Sequence, residues 1–258
     1  MSVYQMTSFK SCHRQALHNV QLFAPTITWV QKGSKALWWQ QQEWPLNKLH
    51  WLLSPAGQYL TFVNHPHQGE FYSRTLSLLT PPPPHMLQQS RQRQLASPML
   101  AVSPALAWCF DTLWQLPQQA LSEAAQVAFV HGLYAELAAI GALSSLFSDQ
   151  HETLKHKLTR LLLSDPSGNH TLASAGERLG MSRATMTRKL AQEGEHFSDL
   201  LAQVRMNHAL ALLQQEQALD DVAKACGYQS ESRFSARFKK QFGVTPSQYA
   251  NTLMTHYG

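Results

Sequence analysis

The chain has 258 residues, 44% of them aliphatic or aromatic, and a formal charge of +5. That length suits two domains, each able to bury its own core, and the composition is ordinary for a soluble globular protein. No run approaches the roughly 18 apolar residues a membrane span needs, and the first twenty residues carry His and Gln in place of the apolar segment of a secretory signal. The expected location is therefore the cytoplasm.

Residues 27–79 alternate as strands do. Ile27–Val30, Ala36–Trp39, His50–Leu53, Tyr59–Val63 and Phe71–Leu76 are separated by turn sequences such as Lys32-Gly33-Ser34, Pro55-Ala56-Gly57 and His65-Pro66. Short strands at this spacing predict a small antiparallel β barrel or sandwich over 1–98. Trp29, Trp38, Trp39, Trp44 and Trp51, with Phe62, Phe71 and Tyr72, supply apolar surface for an ordinary core or for the walls of a ligand pocket. A basic neighbour such as Lys32, Lys35 or Arg74 would favour an acidic effector.

Pro81 to Pro84 break regular structure, and the Gln- and Arg-rich stretch to Pro98 reads as an exposed connection. Helical sequence follows over 104–116 and 122–147. In the second stretch Val130, Leu133, Leu137, Ile140, Ser144 and Phe147 recur at steps of three and four, the seam of a coiled coil. Such a stripe fits a dimer interface, and it fits equally a helix packed on its own barrel. A sensing and dimerising domain is thus expected over 1–150 (β barrel 1–98, helices 104–147), with a boundary near Ser148 to His151.

Residues 151–258 are helical in pattern and contain one arrangement twice. The first copy, about 171–191, runs through Leu172, Ala175, Leu179-Gly180-Met181-Ser182 and Met186 to Leu190. The second, about 219–240, runs through Leu219, Val222-Ala223, Cys226-Gly227-Tyr228 and Phe234 to Phe238. In each, a short helix with a small inner residue reaches a Gly that can take the left-handed conformation at a turn. A second helix follows with buried residues four apart and polar, basic flanks. That is how a helix looks when one side packs and the other enters a DNA major groove. Ser182 and Ser230 stand 48 positions apart. Between the copies, Ser198–Gln214 reads as one helix spanning roughly 25 Å, suited to holding the copies over groove segments about 34 Å apart. Thr171 and Thr245 are predicted helix N-caps, the latter followed by Pro246 and Gln248.

Three stretches, GMSRATMTRKL (Gly180 to Leu190), RMNHALALL (Arg205 to Leu213) and DVAKACGYQSESRFSARFKKQFGVTPSQY (Asp221 to Tyr249), closely resemble the AraC/XylS family of transcription regulators. The resemblance covers about Leu154 to Tyr249. It implies a seven-helix DNA-binding domain, usually C-terminal to a variable sensing or dimerising domain, and the order of the N-terminal strands is similar to the cupin-type domain of many such regulators. The implied fold class is α+β, with an antiparallel barrel or sandwich, then helices, then an all-α domain whose two helix-turn-helix motifs are joined by a linking helix.

Carried over by position, the base-facing residues of the first recognition helix are Ala184, Thr187 and Arg188. Arg188 suits bidentate bonding to guanine, and Thr187 a base edge or thymine methyl. Ser182 is the N-cap, and Arg183 and Lys189 suit phosphates. In the second helix the positions are Glu231, Ser232, Arg233 and Ala236. The family often has Arg where Ala236 stands, and Arg237 either compensates or contacts only the backbone. Lys239 and Lys240 read as a phosphate-contacting or solvated edge. Ala175-Gly176 replace a larger aliphatic residue and Ala, so the first motif is expected to be less rigid than usual.

The expected function is sequence-specific DNA binding in transcription control, without catalysis or cofactor. The expected partners are double-stranded promoter or operator DNA, a second copy of the chain, RNA polymerase and a small-molecule effector, with no membrane. The rivals are a constitutive DNA binder whose first domain only dimerises, and a cupin-type metal enzyme using His65, His67 and Glu70. Against the enzyme, Pro66 disturbs the strand that should aim both histidines, and the Glu comes early. His151 and His156 are five apart, roughly 140° around a helix, and share no metal-binding face. Bulk charge does not single out either half: the excess of Lys and Arg is +2 before residue 150 and +3 after it. Local clusters do, with Arg183, Arg188 and Lys189 in one helix and Arg233, Arg237, Lys239 and Lys240 in the other. Cys12, Cys109 and Cys226 lack metal-like spacing, and Cys226 falls on a small buried position.

Overall fold

Residues 3–39, 41–93, 95, 97–147 and 153–253 are described by the computed structural model, Trp39 by its backbone alone. The alternating N-terminal segments form two antiparallel sheets. One contains β1 (Tyr4–Ser11), β8 (Phe71–Leu78), β3 (Thr26–Lys32), β6 (His50–Ser54) and β9 (Met99–Ala101), in that spatial order. The other contains β2 (Gln15–Gln21), β7 (Tyr59–His65), β4 (Ser34–Trp39) and β5 (Gln42–Leu46). The expected α+β architecture is thus present, with β1, β2, β5 and β9 added to the predicted strands.

The five-stranded sheet is covered on both faces. Period-two alternation sends Leu76 and Leu78 of β8 to the helical side, where they meet Ile27, Trp29, Trp51 and Phe110. Phe71 turns the other way, into a core with Val30, Leu52, Leu37 and Phe62. The helical cover consists of α1 (Pro84–Arg91), α2 (Pro104–Gln115), α3 (Glu123–Ala139) and α4 (Leu143–Leu146). Trp29 and Trp51 lie edge-on at 5.9 Å, and Phe110 of α2 sits 5.4 Å from each.

Three expectations are corrected here. The stretch after Pro81 is no simple connection: Pro84 occupies the first turn of α1, where a missing N–H costs nothing. The helix expected over 122–147 ends at Ala139. Gly141, at φ +79°, closes it with bonds from its own N–H to Ala138 O and from Ala142 N–H to Leu137 O. Finally, Val130, Leu133 and Leu137 are wholly buried within the chain. They pack against the sandwich's own helical side, so they have no face left for a second subunit. Ile140 is exposed and Phe147 half-buried, packed on Tyr134.

The C-terminal part has seven helices among the described residues: α5 (Leu154–Leu163), α6 (Leu172–Arg178), α7 (Arg183–Gln192), α8 (Phe197–Gln214), α9 (Leu219–Ala225), α10 (Glu231–Phe242) and α11 (Pro246–Asn251). The predicted boundary at 148–151 lies outside the described residues. Thr171 and Thr245 cap α6 and α11 as expected, each within a reciprocal capping box. No helix among the described residues is long and apolar enough to cross a membrane.

Candidate nucleic-acid interface

The two helix-turn-helix units are built by the same local chemistry. Gly180 and Gly227 take φ +65° and +74°. At each turn the next residue bonds back five positions, Met181 N–H to Gly176 O and Tyr228 N–H to Ala223 O, closing α6 and α9 in Schellman fashion. The serines 48 positions apart are both N-caps: Ser182 accepts from Thr185 N–H and Ser230 from Arg233 N–H. Four and eight residues beyond them, Met186 and Leu190 in one unit and Phe234 and Phe238 in the other are buried.

Around those buried stripes the basic residues face outward. Arg183, Ala184, Thr187, Arg188 and Lys189 are exposed on α7, and Glu231, Ser232, Arg233, Ala236, Lys239 and Lys240 on α10. Thr187 Oγ1 donates to Arg183 O, which uses its hydrogen within the helix. Arg237 departs from this pattern. Its side chain is 25% exposed and is drawn toward Asp199 of α8 at 3.4 Å, and its buried Nε has no partner.

Gly176 has a geometric reason that its position in the motif did not reveal. A Cβ there would lie 2.6 Å from Met181 O and 3.3 Å from Met186 Cγ. The glycine lets the turn and α7 close directly onto α6, so the replacement for Ala tightens the unit instead of loosening it. Arg205 of α8 acts between the two units. Its Nε and Nη2 donate to Pro166 O and Gly168 O, and its guanidinium lies 5.9 Å from the Tyr228 ring. It therefore ties the loop before the first unit to the turn of the second. Its only sequence signal is that no other Lys or Arg stands in α8.

The units differ in what supports them. The first has a compact core of Leu158, Leu162, Met186, Leu190, Leu200 and Val204. The second shares a continuous core with the sandwich, where Leu210, Leu213, Phe234 and Phe238 join Leu17, Leu37 and Phe62. Polar contacts follow the same division. Gln241 of α10 donates to Asn19 O, Asn207 of α8 to Gln21 O, and Gln15 Nε2 to Thr252 Oγ1 just past α11. Gln214 of α8 exchanges two bonds with the backbone of Lys10. Cys226 lies in this shared core, where burial pushes its thiol up to about 12 and keeps it protonated.

Between the sheets and α8 lies a cavity of about 260 Å³. Leu17, Leu60 and Phe62 line its apolar side, Ser73, Thr75 and Ser77 of β8 its polar side, and His208 and Leu210 of α8 close it. Burial lowers the pKa of His208. None of the described tryptophan side chains lines it; Trp29 and Trp51 belong to the helical side. Of the basic residues considered for an acidic effector, Lys35 lines the cavity. Lys32 is exposed and paired with Glu70 at 2.7 Å, and Arg74 faces α2, bonded to Asp111 at 2.6 Å. Among the described residues no group of three His, Cys, Asp or Glu side chains is placed to hold a metal.

The sandwich with its helical cover is followed in the chain by a paired helix-turn-helix array. Residues 175–252 match the family model of a helix-turn-helix domain. Over 102 residues the chain is 35% identical to the transcriptional regulator SirC of Salmonella typhimurium, a match covering 39% of this chain and 35% of SirC. It is 32% identical over 106 residues to the transcriptional activator FapR of Escherichia coli, covering 41% of each. The matches thus span well under half the length of these relatives. Solved structures extend the likeness to the whole fold: ToxT of Vibrio cholerae in its unsaturated fatty acid-bound form superposes with a TM-score of 0.63 over 98% of this chain and 97% of ToxT, at 16% identity. Residues 175–252 thus match a helix-turn-helix domain, and together with the β sheets before them they share the fold of ToxT.

Proposed function

We propose that the protein is a sequence-specific DNA-binding regulator of transcription in which α7 and α10 enter two successive major-groove segments on one side of the duplex. The observation that carries this reading is the repeated unit: two serine-capped helices, each with a buried stripe and an exposed basic flank, joined by α8. Its 18 residues make a rod of about 27 Å. In this reading Arg188 and Thr187 contact bases, and Ser182, Arg183, Lys189, Arg233, Lys239 and Lys240 contact phosphates. Ala184, Ser232, Glu231 and Ala236 lie on the groove-facing surface. Arg237, held toward Asp199, positions α10 against α8. Footprinting with the intact chain on fragments selected from genomic DNA tests it: two protected segments one helical turn apart support it, and no sequence preference at moderate salt overturns it.

The cavity is the reason to add an effector. It adjoins both domains, and the ToxT structure of the same fold is described as bound to an unsaturated fatty acid. We assign a small molecule with an aliphatic body to it, acting on the seat of the DNA-binding domain. A constitutive binder would give no thermal stabilisation with any metabolite, whereas an effector at a hundred times its dissociation constant adds about 2.7 kcal/mol. Cytoplasmic location, self-association and contact with RNA polymerase complete the reading. Trp108 of α2, Phe129 of α3 and Ile140 just past α3 are exposed apolar side chains available to a second copy, and sedimentation equilibrium that finds only monomer at every concentration would remove it. No catalytic role is assigned, in keeping with relatives described as regulators.

A further inference from the structure

A buried polar row crosses the four-stranded sheet beside the cavity. Gln15 of β2 stands directly opposite Asn64 of β7, and Asn64 directly opposite Lys35 of β4. All three are buried, at 2%, 1% and 6% exposure. Buried cations are ordinarily paired with carboxylates, because the lost hydration must be replaced. Among the described residues no carboxylate pairs with Lys35. Its Nζ donates to Asn64 Oδ1 at 2.6 Å and lies 3.4 Å from the centre of the Phe62 ring. Burial holds its pKa well below the ordinary lysine range, with no opposing charge to restore it. The Phe71 ring is 5.3 Å from Nζ. Two residues along the same face of β8, the buried hydroxyl of Ser73 has no hydrogen-bond partner. Lys35, Phe62 and Ser73 all line the cavity. A buried amine without an anion and an idle hydroxyl face one apolar chamber.

The row also leads out of the chamber, with every donor pointing the same way. Lys35 donates to Asn64, Asn64 Nδ2 to Gln15 Oε1 at 2.9 Å, and Gln15 Nε2 to Thr252 Oγ1 at 2.5 Å. The Thr252 hydroxyl then donates to Tyr249 O at 2.6 Å in α11. The Thr252 carbonyl accepts from Cys12 N–H at 2.7 Å, on the turn between β1 and β2. Thr252 is therefore the point where the sandwich grips the last helix of the DNA-binding domain.

Resting on the effector reading above, we propose that the ligand carries a carboxylate received by Lys35 and Ser73, and that its arrival is passed through Asn64 and Gln15 to Thr252. The carboxylate competes with Asn64 Oδ1 for the ammonium. Asn64 then loses its donor, its bond to Gln15 is no longer held in one direction, and the grip of Gln15 on Thr252 loosens. The second helix-turn-helix unit, seated on the sandwich by α11 and α10, is the element whose freedom changes.

The probes are aliphatic acids from octanoate to oleate, each compared with the alcohol of the same chain length, on the full chain. Binding is read by calorimetry, and amide exchange is followed at Cys12 and in α11. The acids are expected to bind at least about tenfold more tightly than their alcohols, since a hydrogen bond to a charged group is lost with the carboxylate. Lys35→Met, which keeps the apolar stem, should erase that preference. Exchange at Cys12 should quicken when the acid binds the wild type. In Gln15→Leu and Thr252→Val the acid should still bind while Cys12 exchange no longer responds to it. Acids and alcohols binding equally would overturn the carboxylate assignment, and a full exchange response in both relay variants would overturn the route. Failure of every probe to bind the wild type would instead sink the effector reading, and this inference with it.

Discussion

The two helix-turn-helix units share capping serines, turn glycines and a buried stripe at matching positions, yet they are supported differently. The first stands on a small core of its own helices, with only Phe23 of the N-terminal part packed at its edge, and presents Arg188 and Thr187 exposed. The second is continuous with the sandwich, carries Ala where an arginine is common, and turns Arg237 back toward Asp199. Similar local sequence therefore builds two differently supported units, which the proposed function takes as a reader and a seat. Phosphate contacts position a protein while base contacts specify the site, and the first unit is better equipped for the second task.

Deleting matched core residues is the harshest way to break the comparison. Phe238→Ala should cost about 3–5 kcal/mol and Leu190→Ala about 2–5 kcal/mol. The difference lies in reach. Hydrogen exchange should quicken in β2 and β7 with Phe238→Ala, whose core includes the sandwich, but stay local to α5–α7 and the first half of α8 with Leu190→Ala. Local effects from both would show that the second unit is not seated on the sandwich.

At smaller expected effect, Gly176→Ala tests the close approach of α6 and its turn. In an open helix this change would gain roughly 0.5–1 kcal/mol. Here the new Cβ meets Met181 O, and a loss of about 1–3 kcal/mol is expected from overpacking. A raised melting temperature would contradict the geometry.

The DNA-facing changes follow in the same range. Arg188→Ala should cost about 1–3 kcal/mol on the preferred site and relax preference at one base pair. Arg237→Ala should leave base preference intact, and Asp199→Ala should reproduce whatever it does to affinity. Lys239→Ala has the smallest expected effect, a uniform weakening with the log–log salt slope reduced by about one. An unchanged slope would take Lys239 off the phosphate.

The C-terminal domain was legible because its signals are local. A Gly at a left-handed turn, a Ser at each N-cap and the spacing between them can be read without knowing what packs on what. The strands that escaped have blurred alternation. β1 is half-buried along most of its length, β2 is bulged between Leu17 and Val20 with Asn19 at φ +52°, and β5 carries Pro45. The proline run concealed α1 because a Pro that ends one element also starts another. The stripe in α3 was visible, but not what it faced; periodicity reports burial and is silent about whether the partner belongs to the same chain. The cavity was least legible, since its walls come from strands, loop and linking helix far apart in sequence. Of its lining, the sequence points to Phe62 and Lys35, and the Asn64 and Gln15 neighbours of Lys35 become visible through sheet register.

Methylation interference for base contacts and ethylation interference for phosphates across a selected operator, with the wild-type chain and with Arg188→Ala, test the unequal roles of the two units most directly. Two major-groove segments about 34 Å apart should appear for the wild type. The substitution should abolish guanine-specific interference in one segment while leaving the other's phosphate protection in place. A single protected segment, or equal loss of base preference in both, would contradict the division between a reading unit and a seated one.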